Sequence, residues 1–195
     1  MRPRSFSDED LLETANRLFL EFGPSVSTSR IAEALGVSQA ALFKRIATKK
    51  ELMIRALAPR VLPAWFDRLS RGPDERPVGE QLHDIITEME EFFSRMMPSL
   101  MVLRAAGISP NSMLKLFPGE PPPLRARRVL TQFFVELNAQ GRTDVASPEV
   151  TAAAFMGAIH NYHTLAHMLG DQSAARCENF AEDLVDLFWS GIKPR

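Results

Sequence analysis

Residues 30–46, RIAEALGVSQAALFKRI, hold two short helical patterns around one glycine. Ile31, Ala34 and Leu35 fall at i, i+3 and i+4, and Leu42 and Ile46 repeat the four-residue step. Gly36 stands where the first run stops, and Ser38 stands just before the second begins. A chain that joins two helices so short and so tightly has few packings open to it. Two such helices, held steeply crossed by a three- or four-residue turn, make a helix-turn-helix whose second helix can enter the major groove of DNA. That geometry uses a small residue, Ala32, where the helices approach, and Gly36, which can adopt the left-handed conformation without a Cβ penalty. Val37 and Leu42 anchor the turn from beneath, leaving Gln39, Ala40, Phe43 and Lys44 on the outward face. The same spacing also suits an αα-hairpin inside a helical bundle, or a partner-binding module that keeps the motif only as structure.

The flanking sequence predicts helices throughout. SDEDLLETANRLFLEFG opens with Ser7 as N-cap and an acidic first turn, and it carries Leu11, Ala15, Leu18, Phe19 and Phe22 as one stripe up to Gly23-Pro24. Ser27 or Thr28 caps the next helix, to about Leu35, and Ser38 caps the third, to about Arg45. In TKKE, Thr48 and Glu51 form a capping box. The helix they begin then meets Pro59 and Pro63, which predict a break or kink near residues 57–63, with Trp65, Phe66 and Leu69 re-anchoring the chain. Beyond the loop at 71–79, apolar periodicity runs from Val78 to Met97, and Pro98, Pro110 and the PGEPPP run are expected to cut the following stretch into short pieces. Long helices are expected at about 124–140, 148–169 and 172–191. No segment alternates with period two, so the fold class is all-α.

Composition excludes several classes of function. With 23 Lys/Arg against 24 Asp/Glu the net charge is −1, so the chain as a whole is no polycation for coating nucleic acid. Residues 1–58 are slightly basic, with nine Lys/Arg against seven Asp/Glu, and the remainder is slightly acidic. The 195 residues suffice for one ordinary domain or two small ones. A single cysteine, Cys177, allows no internal disulfide and fits a reducing compartment. No run approaches the roughly 20 apolar residues of a membrane span, and the N-terminus lacks a signal-peptide core. The expected location is cytoplasmic, with no membrane partner.

The first 58 or so residues resemble the N-terminal domain of TetR-type transcriptional regulators. The matching residues are Ile31-Ala32, Gly36-Val37-Ser38, Lys49 and Glu51-Leu52. Two positions depart from the family pattern. Phe43 replaces the usual Tyr and so lacks a phosphate-contacting hydroxyl, and Ile46 replaces a core Phe. Arg45, where His is common, can restore a phosphate contact. The resemblance implies a helix-turn-helix domain over residues 1–57 and a helical effector-binding and dimerisation domain over residues 58–195. It implies a homodimer on a palindromic, double-stranded DNA operator, most often a repressor released by a small molecule. The expected DNA-contacting residues are Thr28, Ser38, Gln39, Ala40, Phe43, Lys44, Arg45 and Lys49.

No enzyme motif competes with that reading. His160, His163 and His167 fall at i, i+3 and i+7 on one helical face, but no acidic or cysteine ligand lies near them in sequence, and neither HExxH nor GxSxG occurs. No catalytic residue, metal or cofactor is therefore expected. A deformable apolar set, Met89, Phe92, Phe93, Met96, Met101, Phe133 and Phe134, is the candidate ligand lining, which points to a lipophilic or aromatic effector. Arg95 or Arg104 could instead receive an anion. The last two helices carry wide apolar faces, so a two-fold dimer seam is expected at Phe155, Ile159, Leu184 and Phe188, with His163 and His167 in or beside it.

Overall fold

The computed structural model describes residues 6–59, 63–109, 111–112, 119–170 and 177–194; among these there are helices and no strand. The chain divides into two compact units, Met1–Arg60 with Pro98–Leu116, and Val61–Met97 with Phe117–Arg195.

The first unit contains α1 (Asp8–Phe22), a 3-10 turn (Gly23–Ser25), α2 (Thr28–Leu35), α3 (Gln39–Phe43) and α4 (Lys49–Leu57). Each α-helix begins at a hydroxyl cap, which satisfies amides the helix itself leaves free. Ser7 and Asp10 form a complete capping box at α1: the Asp10 amide donates to Ser7 Oγ at 3.0 Å, and the Ser7 amide donates to the Asp10 carboxylate at 2.8 Å. Ser27, Ser38 and Thr48 cap α2, α3 and α4. At α4 the Glu51 carboxylate accepts from the Ala47 amide at 3.0 Å, so the box there closes one residue upstream of the cap. Leu11, Ala15, Leu18 and Phe19 of α1 pack on Ile31, Leu42, Ile46, Leu52 and Leu57 to form the core, and Leu103 and Ile108 are part of it.

The third helix is shorter than the sequence predicts. It ends at Phe43, and the Arg45 amide turns back to the Leu42 carbonyl, three residues earlier. That tightened turn carries Ile46 into the core, where it is 2% exposed.

The predicted break after α4 is present. Ala58 is extended (φ −71°, ψ 144°), as the residue before a proline prefers, and Pro63 is the extended N-cap of the next helix. Residues 60–62, also within the predicted joint, lie outside the described residues.

The second unit holds α5 (Ala64–Ser70), α6 (Val78–Ala105) as far as Met97, α7 (Pro122–Ala139), α8 (Pro148–Leu169) and α9 (Phe180–Ile192). Pro98 does not cut α6 as expected; the helix runs through it for seven more residues. A proline interrupts the ladder of one turn only, and the turns on both sides are anchored by buried side chains: Phe93 and Met97 before it, Ser99 and Leu103 after it. At the proline run, Pro121 is the N-cap and Pro122 the first residue of α7, positions where a missing amide hydrogen costs nothing. The last helix starts at Phe180 rather than near 172; residues 171–176 lie outside the described residues, Cys177 is irregular and 178–179 are turn. Pro110 also lies outside them. α7 packs against α5 and α8.

Candidate functional sites

Between α2 and α3 the backbone makes the sharp turn that the glycine predicts. Gly36 is left-handed (φ 69°, ψ 30°), and the Val37 amide closes on the Ala32 carbonyl at 3.0 Å. Ala32 and Leu42 are buried and Val37 is half-buried. Gln39, Ala40, Phe43 and Lys44 are all exposed on α3 and just after it, and the Phe43 ring keeps 41% of its surface in solvent.

The polar residues around this face are already partly engaged. Gln39 Nε2 donates to Thr28 Oγ1 at 2.7 Å, which joins the first residue of α3 to the first residue of α2. Thr28 itself is buried. Ser38 Oγ accepts from the Ala41 amide as the cap. Lys49 Nζ donates to the Pro24 carbonyl at 2.7 Å. The Arg45 guanidinium pairs with Asp8 at 2.7 Å and lies over the Phe6 ring at 4.6 Å, and this pairing holds the Asp8 carboxyl below its usual range. Lys44 and Lys50 are exposed and have no ion pair among the described residues. Arg30, exposed on α2 with its guanidinium 3.7 Å above the Phe22 ring, is a further cation at this end of the unit. Sequence spacing alone does not single it out, although it opens the very stretch that defines the motif.

In the second unit the ligand candidates separate. Met89, Phe93, Phe133 and Phe134 are buried, Phe92 and Met96 are half-buried, and Met101 falls in the first unit. One aromatic run passes from Trp65 of α5 to Phe92 (6.2 Å between centroids), on to Phe93 (5.4 Å), and then to His160 and His163 of α8. A second links Phe133, Phe134, Phe155 and Phe188 edge to face. Beside the first run, Arg68 of α5 grips one oxygen of Glu88, with Nη2 at 2.5 Å and Nε at 3.1 Å, and reaches Asp84 at 3.2 Å. Among the described residues, three buried polar atoms have no hydrogen-bond partner: Trp65 Nε1, Glu88 Oε2 and His163 Nε2. Burial, with His160 nearby, pushes the His163 imidazole toward its neutral form. Burial and Glu182 push the Glu90 carboxyl up, partly opposed by His83. Among the described residues no three His, Cys, Asp or Glu side chains converge as a metal site.

The candidate dimer residues mostly turn inward. Phe155, Ile159 and Leu184 are buried in the chain's own core, Phe188 is half-buried against Phe155, and His163 stacks on Phe93. His167 is exposed. Large apolar side chains that α8 and α9 leave in solvent include Val150, Leu165, Met168, Leu169 and Leu187, of which Leu187 is 69% exposed. A helix face read from sequence spans both the inward and outward sides, and only packing separates them.

Residues 11–56 match the family model of bacterial regulatory proteins, tetR family. The HTH-type transcriptional repressor BdcR of Escherichia coli (strain K12) is 30% identical over 95 residues, which are 48% of this chain and 48% of that protein. The matched region thus spans about half the length of this curated relative. Among solved structures, the flavonoid-responsive regulator FrrA is similar at 23% identity and a TM-score of 0.61, over 96% of this chain and 97% of that one. NalD, the secondary repressor of the MexAB-OprM multidrug efflux pump in Pseudomonas aeruginosa, is similar at 20% identity and a TM-score of 0.64, over 95% and 94%. The SmeT–triclosan complex is similar at 16% identity and a TM-score of 0.67, over 95% and 90%. These structural likenesses establish the fold.

Proposed function

We propose that this chain, whose residues 11–56 match the tetR family model of bacterial regulatory proteins, is a member of that family and a DNA-binding transcriptional repressor, released from its operator by a small aromatic molecule. The observation that carries the reading is the helix-turn-helix itself. A left-handed Gly36 crosses two capped helices so that α3 presents Gln39, Ala40, Phe43 and Lys44 to solvent. A helix so presented suits the major groove, where a Gln side chain can pair with adenine and a Lys can reach guanine or phosphate. Thr28, Arg45 and Lys49 border it and would fix register on the phosphates.

We place the effector in the second unit, among the aromatic run from Trp65 to His163. FrrA is described as flavonoid-responsive and SmeT as a complex with triclosan, which supports an aromatic effector here. Coupling would pass along α6, since this one helix supplies Met89 and Phe93 to the second unit and Leu103 to the core of the first. An effector acts through it only by binding one arrangement better than another. A homodimer, formed through the exposed apolar residues of α8 and α9, would present two recognition helices to a palindrome.

Capture of fragmented genomic DNA by the purified protein, followed by sequencing, tests the function. A recurring palindrome is expected, lost with Gln39→Ala combined with Lys44→Ala. Recovery of DNA without any shared sequence would defeat the proposal.

A further inference from the structure

We propose that the second unit binds an uncharged aromatic molecule carrying a hydroxyl group, with Trp65 Nε1 and Glu88 Oε2 as the hydroxyl's two partners. This rests on the reading of that unit as an effector site and names the chemistry it selects. Trp65 and Arg68 are three residues apart on α5, and Glu88 and Phe92 are four apart on α6, so each pair shares a helical face. Trp65 packs edge to face on Phe92 while Arg68 grips Glu88, which presses these two faces into one seam. Among the described residues, the seam's donor, Trp65 Nε1, has no acceptor and its acceptor, Glu88 Oε2, has no donor. Trp65 is 3% exposed, and both orphaned atoms are buried.

Leaving such groups unpaired is costly, and Arg68 does not relieve it, because it already occupies the other Glu88 oxygen. A hydroxyl is the group that donates and accepts at one atom. It can donate to Glu88 Oε2 and accept from the Trp65 indole, while its ring lies among Trp65, Phe92 and Phe93. A carboxylate ligand would meet the Glu88 carboxylate with like charge. An organic cation gains nothing from the Trp65 donor, and Arg68 already balances Glu88. Neighbouring Met89, Met96 and Met97 supply side chains that re-pack around a guest. His163, whose ring stacks on Phe93, has its buried Nε2 as a second polar contact for a longer molecule.

Calorimetric titration of the full-length protein with 2-naphthol, naphthalene, 2-naphthoate and 2-(aminomethyl)naphthalene separates the alternatives. 2-Naphthol is expected to bind at least tenfold more tightly than the other three. Glu88→Gln keeps an oxygen for Arg68 but turns the free acceptor into a donor, and Trp65→Phe keeps an aromatic ring, smaller than the indole, and removes the N–H. Each is expected to lower the ratio of 2-naphthol affinity to naphthalene affinity about tenfold, which cancels any change in ring packing common to the two ligands. Should Glu88→Gln lower the melting temperature, Trp65→Phe carries the comparison alone. Equal binding of naphthol and naphthalene, tighter binding of the acid or the amine, no binding of 2-naphthol, or indifference of Trp65→Phe would each overturn the inference. Operator capture is read separately. A protein that binds its palindrome but ignores 2-naphthol keeps its function and loses this site, and the reverse result does the opposite.

Discussion

Gln39 at the start of α3 donates to the buried hydroxyl of Thr28 at the start of α2, at 2.7 Å. The bond holds in one orientation the side chain proposed above to read a base. Gln39→Ala should change base preference at one position of each half-site by about 1–3 kcal/mol. Thr28→Val preserves the branched shape and removes the acceptor, so it should weaken the operator while leaving the preferred base unchanged. Binding to a library of single-base operator variants measures both. Parental profiles from both variants would show that Gln39 faces no base.

Lys44 and Lys49 should behave differently although they lie five residues apart. Lys44 is exposed and without an ion pair among the described residues, so Lys44→Ala should weaken all DNA alike and reduce the slope of log affinity against log salt by about one. Lys49 holds the Pro24 carbonyl, tying α4 to the turn after α1. Lys49→Ala should therefore also lower stability, by about 1 kcal/mol, which Lys44→Ala should not. Salt titrations and melting curves of the two variants check this.

Pro98 sits inside α6 at the division between the two units. A proline in a helix interior costs up to about 3 kcal/mol relative to alanine. Because the flanking turns are already helical, Pro98→Ala should stabilise the protein by about 1–3 kcal/mol, read as a higher melting temperature. A lower one would mean that the proline ring itself packs there.

His163 gives the protein a stability that depends on acidity. Its imidazole is held neutral by burial, with a smaller effect from His160. Below its unfolded value of about 6.5 the unfolded chain binds a proton that the native chain resists, so stability falls as pH drops from about 6.5 toward the lowered native value. Glu90, 3.9 Å from His163 Nε2 and pushed up by burial, works the other way: it takes up its proton more readily in the native state, which offsets part of the loss at lower pH. His83 and Glu182, 3.7 Å apart, both act on the Glu90 carboxyl, in opposite directions. Replacing His163 with Gln should flatten the decline in melting temperature just below pH 6.5. An identical pH profile would exclude His163 as its source.

The proposed dimer surface and the core should also part under mutation. Leu187→Glu, at a side chain 69% exposed, should leave the protomer folded and separate the dimer in sedimentation equilibrium. Phe155→Ala, at a fully buried ring, should cost about 3–5 kcal/mol of stability. A dimer unaffected by Leu187→Glu would move the seam elsewhere.

Local chemistry is what the sequence determined by itself. Hydroxyl caps at Ser7, Ser27, Ser38 and Thr48, the left-handed glycine at 36 and the prolines at 59 and 63 act over a few residues, so reading them in order locates helix starts, one turn and one break. Stripes such as Leu11, Ala15, Leu18 and Phe19 determined which sides are apolar, and with the caps they made the helix-turn-helix legible. Tertiary packing decided the rest. It carried α6 through Pro98, because buried neighbours outweigh one missing hydrogen bond, and ended α3 at Phe43, because Ile46 belongs to the core. It turned Phe155, Ile159 and Leu184 inward and left Leu187 and Met168 outside, a choice that periodicity alone does not make. It also set Trp65 against Phe92 and Arg68 against Glu88, from segments about 20 residues apart, stranding two polar atoms in an apolar seam. Whether a buried group is left without a partner depends on every element packed around it, and no spacing along the chain records that.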